Sequence, residues 1–265
     1  MLTFVIPVRH PENAKNWPQL KTMLAQTAAA IARQDHAGWR AVIVANIEAD
    51  LPQLPAGFAV KRVDFPPNLF PEQAGNDKEA RYDAIRFDKG RRILAGMLHD
   101  PVTDYFMVVD DDDFVSSKLA GFVSVHGGAP GWRFNTGYVW ADGGTLLYRH
   151  PAFHKFCGTS HIVRADLMEL PARFEDASDA YIKRRLGSHI FIDDDLREKG
   201  TPLVPLPFCG AIYRVGHAGA TSQSGRLLRT FLLRKDFIAR PWGLVNALLR
   251  LRLLTSRLRQ EFFGR

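Results

Sequence analysis

The sequence has few cysteines and no long apolar run, and each absence excludes a class of protein. Cys157 and Cys209 are too few for a disulfide framework and do not have the spacing of metal ligands. We expect them to be buried thiols in a reducing compartment. No uncharged apolar stretch approaches the ~18–20 residues of a membrane-spanning helix. The opening residues, MLTFVIPV, lack a basic segment ahead of a long apolar one, which favours a first strand over a signal peptide.

Acidic residues are scarce only in the C-terminal tail of the chain. From Arg226 to the end, ten Lys or Arg residues accompany two acids, Asp236 and Glu261, a balance of +8. Since the whole chain carries +7, the preceding residues sum to −1. A uniformly basic surface would suggest nucleic acid, but a near-neutral body with a basic tail does not. We therefore expect no nucleic-acid partner.

What the chain does contain is an alternation of strand and helix patterns. Its 265 residues, 46% of them hydrophobic, suit one large α/β domain or two small ones. Strand patterns lie at 3–8, 40–46, 58–65 and 105–113, and helix patterns at 19–34 and 78–100. Gly90 is a candidate break or kink in the second helix. This alternation predicts a parallel, doubly wound sheet, in which ligands bind at the carboxyl ends of the strands.

The second half of the chain is less regular. Residues 137–150 predict a hairpin across the turn Asp142-Gly143-Gly144. The other predicted elements are a strand turning toward a short helix in 154–168, helices in 176–187 and 188–200, and extended segments in 203–222. The last of these ends in a Gly- and Ser-rich loop that contains His217.

Two clusters of aspartates interrupt these patterns. Asp110–Asp113 end the apolar run YFMVV, although like charges repel and each is costly to remove from water. A divalent cation would compensate that cost; the alternative is an acidic turn that only caps the next segment. Asp193–Asp195 precede LREKG, where the N-terminus of a helix alone could explain them.

Four motifs, in this order, resemble nucleotide-sugar glycosyltransferases of the GT-A fold, most of all the large family 2 group of bacterial glycan biosynthesis. TFVIPVRH is similar to that family's opening strand and nucleotide-binding loop, and VVDDDDF to its strand-end motif of aspartate, any residue, aspartate. FIDDDLREKG resembles the later acidic site at the head of a helix, and YRVGHAGATS the loop that holds a metal-binding histidine. The chain departs from the family in lacking its usual tripeptide after the first strand and in having four acids in a row. The sugar therefore stays open.

The resemblance, which covers residues 3–222, implies a GT-A catalytic domain over 1–225. Its nucleotide-binding half would be 1–115, a Rossmann-like, mainly parallel sheet, and its acceptor-binding half 116–225, a smaller mixed sheet. A basic helical tail would follow over 226–265. The implied activity is the metal-dependent transfer of a sugar from a nucleotide-sugar donor, with a UDP-sugar expected, to a hydroxyl of a glycan or lipid-linked acceptor.

The metal site follows from the diphosphate of such a donor. Mn²⁺ or Mg²⁺ would span both phosphates and stabilise the leaving group. The register of an extended segment predicts Asp112 as the direct metal ligand and Asp110 as the nucleoside contact. Asp111 and Asp113 would then be solvated, cap backbone amides or act through water. Asp110 is also a candidate metal ligand, and His217 becomes one through the resemblance.

An inverting single displacement also needs a carboxylate that takes the proton of the acceptor hydroxyl. The family keeps that base in the second acidic cluster. Asp194 is the first candidate here, followed by Asp193, with Glu175 and Asp176 as more distant alternatives.

For the remaining predicted site residues, an ordinary structural role is the alternative to a functional one. The predicted donor-binding residues are Pro7, Arg9, Asn46, Asp64, Lys89, Arg92, Asp110 and Asp111. Arg9 could equally be a surface arginine, and the basic run at 89–92 a solvated helix face. The predicted sugar and acceptor pocket comprises Trp140, Gly158, Thr159 and Asp195, although a glycine such as Gly158 also suits a bulge.

The tail and the overall function each keep alternatives. The tail predicts either a basic amphipathic helix in a membrane interface or a helical hairpin packed on the catalytic domain. We accordingly expect a cytoplasmic protein, which is peripheral on the inner face of the cell membrane if the tail lies in the membrane interface.

A sugar-nucleotide nucleotidyltransferase is the second candidate function, but VIPVRHPENAKNW lacks the Gly-rich loop that such enzymes usually carry. A non-catalytic membrane-surface binding protein is the third, and it leaves both aspartate clusters unexplained.

Overall fold

A seven-stranded, mainly parallel sheet forms the centre of the computed structural model, which describes residues 1–68, 77–99, 101–216 and 241–264. In chain order the strands are β1 (Leu2–Pro7), β2 (Trp39–Asn46), β3 (Phe58–Val63), β4 (Tyr105–Val108), β5 (Phe114–Val115), β6 (Gly131–Arg133), β7 (Gly137–Ala141), β8 (Leu146–His150), β9 (His161–Arg164), β10 (Val204–Pro205), β11 (Ala211–Val215) and β12 (Leu251–Leu253). The central sheet has the order β10-β6-β9-β4-β1-β2-β3.

The helices lie on both faces of this sheet and beyond it. They are α1 (Trp17–Ile31), α2 (Lys78–His99), α3 (Leu119–Val125), α4 (Phe153–Phe156), α5 (Asp179–Tyr181), α6 (Ile192–Glu198), α7 (Pro241–Leu248) and α8 (Ser256–Phe262). A π-helical turn, Ile182–Leu186, continues α5.

The predicted parallel α/β sheet is confirmed. β1 pairs in parallel with β2 and β4, and β2 with β3. Side chains alternate along β1 between two core layers: Phe4 and Ile6 pack with Leu24 of α1, while Val5 packs with Ile93 of α2. β9 runs antiparallel between β4 and β6, a direction that its residue pattern does not encode.

The carboxyl ends of β1, β2 and β4 meet at one edge of the sheet. Val5 is opposite Val108 and Pro7 opposite Val44, so the loops after these strands start close together. The predicted strand 105–113 ends earlier than expected, at Val108. The aspartates therefore lie beyond the strand, at the ligand-binding edge of a parallel sheet.

A second, five-stranded sheet has the order β12-β8-β7-β11-β5. The predicted hairpin 137–150 is confirmed as β7 and β8, with Gly143 at φ 77° in the turn. The tail differs from its helical prediction because Leu251–Leu253 forms a strand that pairs with β8 and covers its open edge. The boundary at residue 225 stays a prediction. Within the described ranges, no helix has both the length and the apolar character to cross a membrane.

Gly90 does not break α2, which is continuous from Lys78 to His99. Its role is close packing: a Cβ added there would lie 2.2 Å from the carbonyl oxygen of Ile182, in the π-helical turn. Only glycine allows this approach of two backbones.

We predict that Gly90→Ala destabilises the protein. Alanine gains about 1 kcal/mol of helix propensity, but the clash costs about 1–3 kcal/mol or more because backbone rather than a flexible side chain must move. Urea unfolding measures the difference. Gly127→Ala is the matched control, since a Cβ at that exposed position meets nothing within 4 Å. Equal stability of the two variants would contradict the packing role.

Candidate active site

The four aspartates form a tight turn, not an extended segment. A hydrogen bond from the backbone N–H of Asp113 to the carbonyl oxygen of Asp110, 3.2 Å long, closes the turn. The turn takes the chain from β4 in the first sheet to β5 in the second. The register expected of an extended segment is therefore wrong here. The metal role of Asp112 stays a prediction without that support.

Asp113 is the most deeply buried member of the turn, at 0% exposure. One carboxyl oxygen accepts from the Thr159 hydroxyl at 2.6 Å and from the Cys157 thiol at 3.3 Å. The other accepts from the backbone N–H of Arg214 at 3.2 Å. Burial raises the pKa of Asp113 well above its usual value, as do the neighbouring aspartates. Asp113 was expected to be solvated, to cap backbone amides or to act through water. In the structure it is buried and accepts a hydrogen bond from a backbone amide.

Thr159 and Gly158 hold the turn from the facing segment. The Thr159 hydroxyl accepts from the backbone N–H of Asp110 at 2.9 Å while it donates to Asp113. A Cβ on Gly158 would lie 2.9 Å from both Asp110 Oδ2 and Lys89 Nζ. Both residues, predicted for the sugar pocket, therefore contact the aspartate turn directly.

Asp110 forms an ion pair with Lys89 of α2, with 2.5 Å between Oδ1 and Nζ. Burial alone would raise the pKa of Asp110, but the charge and hydrogen bond of Lys89 hold it below its usual value. Burial likewise opposes the charge of Lys89, and Asp110 raises the Lys89 pKa above its usual value. Of the basic run in α2, Lys89 is thus the residue that faces the turn.

Asp111 pairs with Arg9 from the loop after β1, at 3.3 Å. It is 3% exposed, and its Oδ2 has no hydrogen-bond partner. Burial raises the pKa of Asp111 to about 6, against the opposing charge of Arg9, and the neighbouring Asp112 and Asp110 raise it further. Asp112 is 8% exposed. The turn therefore concentrates four carboxyl groups, and Asp111 keeps one buried oxygen without a partner.

The other predicted donor-binding residues are placed differently. Asn46 is 1% exposed and donates to the carbonyl of Phe65 at 2.7 Å. Its side-chain oxygen accepts from Arg92, which also pairs with Asp88, so Arg92 is neither solvated nor directed to the turn. The roles of Asn46 and Arg92 at the donor stay predictions, and their observed contacts are within the protein.

Pro7 and Asp64 occupy the ends of their strands. Pro7 is the buried last residue of β1, and Asp64 is the exposed residue after β3. Pro7 therefore positions the backbone that leads to Arg9, whereas Asp64 lies at the far side of the sheet edge, since β3 is the outermost strand.

In the second acidic cluster, at the start of α6, each aspartate pairs with an arginine. Asp193 is 6% exposed and contacts Arg197 at 2.6 Å and Arg133 at 3.3 Å. Asp194 is exposed and contacts only the Arg197 guanidinium, at 2.7 Å, among the described contacts. Asp193 therefore faces the interior and Asp194 the solvent.

The three other acids predicted for the acceptor site or as the general base do not share the interior position of Asp193. Asp195 pairs with Arg184 on the other side of α6. Asp176 is exposed and pairs with Arg173, and Glu175 beside it is exposed as well.

A small pocket of about 40 Å³ lies beside the two clusters, and its lining includes a residue next to each cluster but no aspartate of either. Lys89, Gly158 and Ile192 all line it, so it extends from the partner of Asp110 to the neighbour of Asp193. His161 and His189 also line it. Both histidines went unpredicted because no spacing in the sequence distinguishes them from other single histidines.

Trp140, predicted for the sugar and acceptor pocket, does not line this pocket. Trp140 is 6% exposed and packs edge-on against Phe114 and Phe263 in the second sheet's core. His217 lies outside the described residues. Within the described part of the chain, no group of three or more His, Cys, Asp or Glu residues could hold a metal ion.

The fold and site together define a mixed α/β protein with an acidic turn at the carboxyl edge of a mainly parallel sheet. No family model and no curated protein matches the sequence. Two solved structures of TarS from S. aureus are similar in structure. The first, of residues 1–349, has a TM-score of 0.41, 11% identity and coverage of 80% of this chain and 60% of that one. The second has a TM-score of 0.40 and 11% identity, with 81% and 36% covered. The chain thus spans less than two thirds of either, and the likeness assigns no activity.

We predict that Thr159→Val destabilises the protein by about 1–3 kcal/mol, because a buried amide and a buried carboxyl each lose a partner while the side-chain shape is kept. Chemical denaturation measures the loss. Thr22→Val, at an exposed position of α1, is expected to change stability by less than about 0.5 kcal/mol. A Thr159 variant as stable as the Thr22 variant would show that the hydroxyl does not hold the turn.

Proposed function

We propose that the protein is a metal-dependent glycosyltransferase that moves a sugar from a nucleotide-sugar donor, with UDP-sugar as the first choice, to an acceptor hydroxyl. The observation that carries this proposal is the aspartate turn at the carboxyl edge of the parallel strands, where Asp111 has a buried oxygen without a partner. The small pocket beside it is lined by Lys89, the partner of Asp110, and by Ile192, the neighbour of Asp193. A transfer reaction needs both a site for the diphosphate and a base, and this edge of the sheet offers carboxylates for each.

The turn has the chemistry of a divalent-cation site. Its groups are hard oxygen donors, and Asp111 Oδ2 is buried without a partner. Mg²⁺ is commonly held by one or two carboxylates together with substrate phosphates, so a preformed cage is not required. Asp112, with Asp110 or Asp111, would hold the ion, and His217 is a further candidate. When bound, the ion would act as a Lewis acid on the leaving diphosphate.

Arg9 and Lys89 give the same edge its positive charge. Each already contacts a carboxylate of the turn, and their side chains are 31% and 27% exposed. Both can therefore reach a ligand at the sheet edge while they neutralise Asp111 and Asp110. We propose that they orient the diphosphate beside the turn.

We predict that the protein releases UDP slowly from a UDP-sugar in the presence of Mn²⁺, and that EDTA or Asp112→Ala abolishes the release. The reason is that the diphosphate loses its electrophilic partner in both cases. Chromatography of the nucleotide products measures it. Asp166→Ala, which removes an acid with an exposed side chain that pairs with Arg164, is the matched control and should keep the activity. UDP release that is unaffected by EDTA would contradict the proposal.

We propose Asp193 as the general base of the transfer. The sequence ranks Asp194 before Asp193, but the structure favours the reverse order as a proposal. Asp193 is 6% exposed and lies beside the pocket-lining Ile192, whereas the side chain of Asp194 is 60% exposed. A base must lie within hydrogen-bond reach of a sheltered acceptor hydroxyl, and the buried carboxylate meets that condition better.

We predict that Asp193→Asn lowers kcat of the transfer by about 100-fold or more, the usual contribution of general base catalysis. Asp194→Asn, a matched neighbour, should change kcat by less than about threefold, because surface substitutions away from reacting groups have small effects. Steady-state kinetics with a UDP-sugar that the wild type hydrolyses measures both, and circular dichroism verifies folding. The opposite ranking of the two variants would restore Asp194 as the base.

A sugar-nucleotide nucleotidyltransferase is less well supported. In the structure, β1 leads through residues 8–10 into a 3₁₀ turn, Pro11–Asn13, and no glycine stands between Pro7 and α1. The backbone cradle that a Gly-rich loop would provide for a triphosphate is therefore missing from this loop. Release of pyrophosphate from a nucleoside triphosphate would favour this second function.

We also propose that the tail associates with a membrane surface, where a lipid-linked acceptor would be found and where a cytoplasmic enzyme would be peripheral. Five large apolar residues of the tail are exposed: Trp242, Val245, Leu248, Leu249 and Leu253. Ala247 is buried against the second sheet and β12 pairs with β8, so the tail packs on the domain and still presents this face. Arg250 and Arg252 lie in the same stretch of sequence, and apolar residues combined with arginine suit anionic lipid.

We predict that the protein floats with vesicles containing phosphatidylglycerol and not with pure phosphatidylcholine, since the arginines need anionic headgroups. The double variant Trp242→Ala, Leu249→Ala should reduce binding by about tenfold or more through lost apolar burial. Val102→Ala, at an exposed apolar position outside the tail, is the control. Flotation of the double variant equal to the wild type would contradict the lipid contact.

A further inference from the structure

The end of the tail packs directly against the segment that leaves the aspartate turn. That segment comprises β5 and the three residues after it, 116–118. The ring of Phe263, the residue that follows α8, lies 4.4 Å from the ring of Phe114, centroid to centroid. Phe114 adjoins Asp113 in the chain and is 3% exposed. The residue next to the turn is therefore covered by the end of the tail.

Glu261 of α8 holds the other end of the same segment. Its two carboxylate oxygens accept hydrogen bonds from the Ser116 hydroxyl and from Nζ of Lys118, each at 2.6 Å. Ser116 is fully buried, and the side chain of Glu261 is 11% exposed. The backbone N–H of Ser117 also donates to the carbonyl oxygen of Glu261, at 3.3 Å. One residue of the tail thus fixes three consecutive residues of the segment.

Phe114 also connects the tail to the strand that binds Asp113. The guanidinium of Arg214 lies over the Phe114 ring, 4.5 Å from its centroid, and the backbone N–H of Arg214 donates to Asp113. Trp140 completes the cluster, with its ring 5.9 Å from that of Phe114 and 5.1 Å from that of Phe263. Because such interiors are close-packed, loss of the Phe263 ring would loosen the residue that adjoins Asp113.

We propose that Glu261 and Phe263 are positioning residues, which hold the aspartate turn in the geometry that binds its ligand. The inference rests on the proposed function for the ligand, a divalent ion with a nucleotide diphosphate. Neither residue would contact that ligand, since both act through the segment after the turn. The end of the tail would then belong to the site, although the resemblance to family 2 enzymes implies a catalytic domain that ends at residue 225.

Manganese affinity is the first test, because it needs no turnover. Electron paramagnetic resonance of free Mn²⁺, in the presence of UDP, gives the dissociation constant of the ion. We expect Phe263→Ala and Glu261→Ala each to weaken Mn²⁺ binding by about tenfold or more, the usual effect of removing a group that orients metal ligands. Glu261→Gln should recover part of the affinity, because its amide oxygen still accepts from the Ser116 hydroxyl.

Phe262→Leu is the matched control on the same helix. Phe262 is 0% exposed, more deeply buried than Phe263, and its ring packs edge-on against Tyr138. We expect this variant to lower the melting temperature, through lost core packing, but to change Mn²⁺ affinity by less than about twofold. Mn²⁺ affinity in Phe263→Ala equal to that of the wild type, or equal losses in Phe263→Ala and Phe262→Leu, would overturn the positioning role. Phe263→Leu serves the same comparison if Phe263→Ala does not fold.

Hydrogen exchange separates this inference from the proposed function. Mass spectrometry of a peptide that spans 109–116 reports the backbone amides of the turn, including that of Asp113, which closes it. We expect exchange of this peptide to be several-fold faster in Phe263→Ala and close to wild type in Phe262→Leu, because only the first variant eases local opening of the turn. A wild-type protein that binds no Mn²⁺ would refute the metal site, and faster exchange in Phe263→Ala would still retain the positioning role. Unchanged exchange in Phe263→Ala would overturn it.

Discussion

The buried carboxyl of Asp113 is the contact on which the site depends. It accepts hydrogen bonds from the 157–159 segment, which leads into β9 of the first sheet, and from β11 of the second. The aspartate turn also connects β4 to β5, and it therefore joins the first sheet to the second. Three segments distant in sequence are thereby fixed around one residue. The remaining aspartates are held at the sheet edge because this one is held in the interior.

The charges around the turn follow from that arrangement. Asp110 and Asp111 are too buried to stay ionised alone, and Lys89 and Arg9 reach them from α2 and from the loop after β1. The compensation is incomplete, since Asp111 keeps a raised pKa and an unpartnered oxygen. An edge that is both acidic and lined with cations suits a ligand that brings phosphates and a divalent ion together.

Part of the fold and of the candidate site could be predicted from the sequence, and the rest could not for physical reasons. Periodicity predicted the parallel strands and the edge where Asp110–Asp113 lie, because both follow from local patterns. The turn was missed because four identical residues carry no signal for where a strand ends. The fate of Arg92, buried against Asn46, depends on the packing of α2 on β2, which spacing does not encode. The same is true of His161 and His189, which meet only in the folded chain.

We propose above that the aspartate turn binds a divalent ion together with the diphosphate of a nucleotide sugar. A crystal structure of the protein with UDP and Mn²⁺, with anomalous data at the manganese edge, tests it most directly. We expect one manganese peak in contact with a carboxylate of Asp110–Asp113 and with both phosphates of UDP. UDP bound without manganese, or at a place away from the turn, would contradict it.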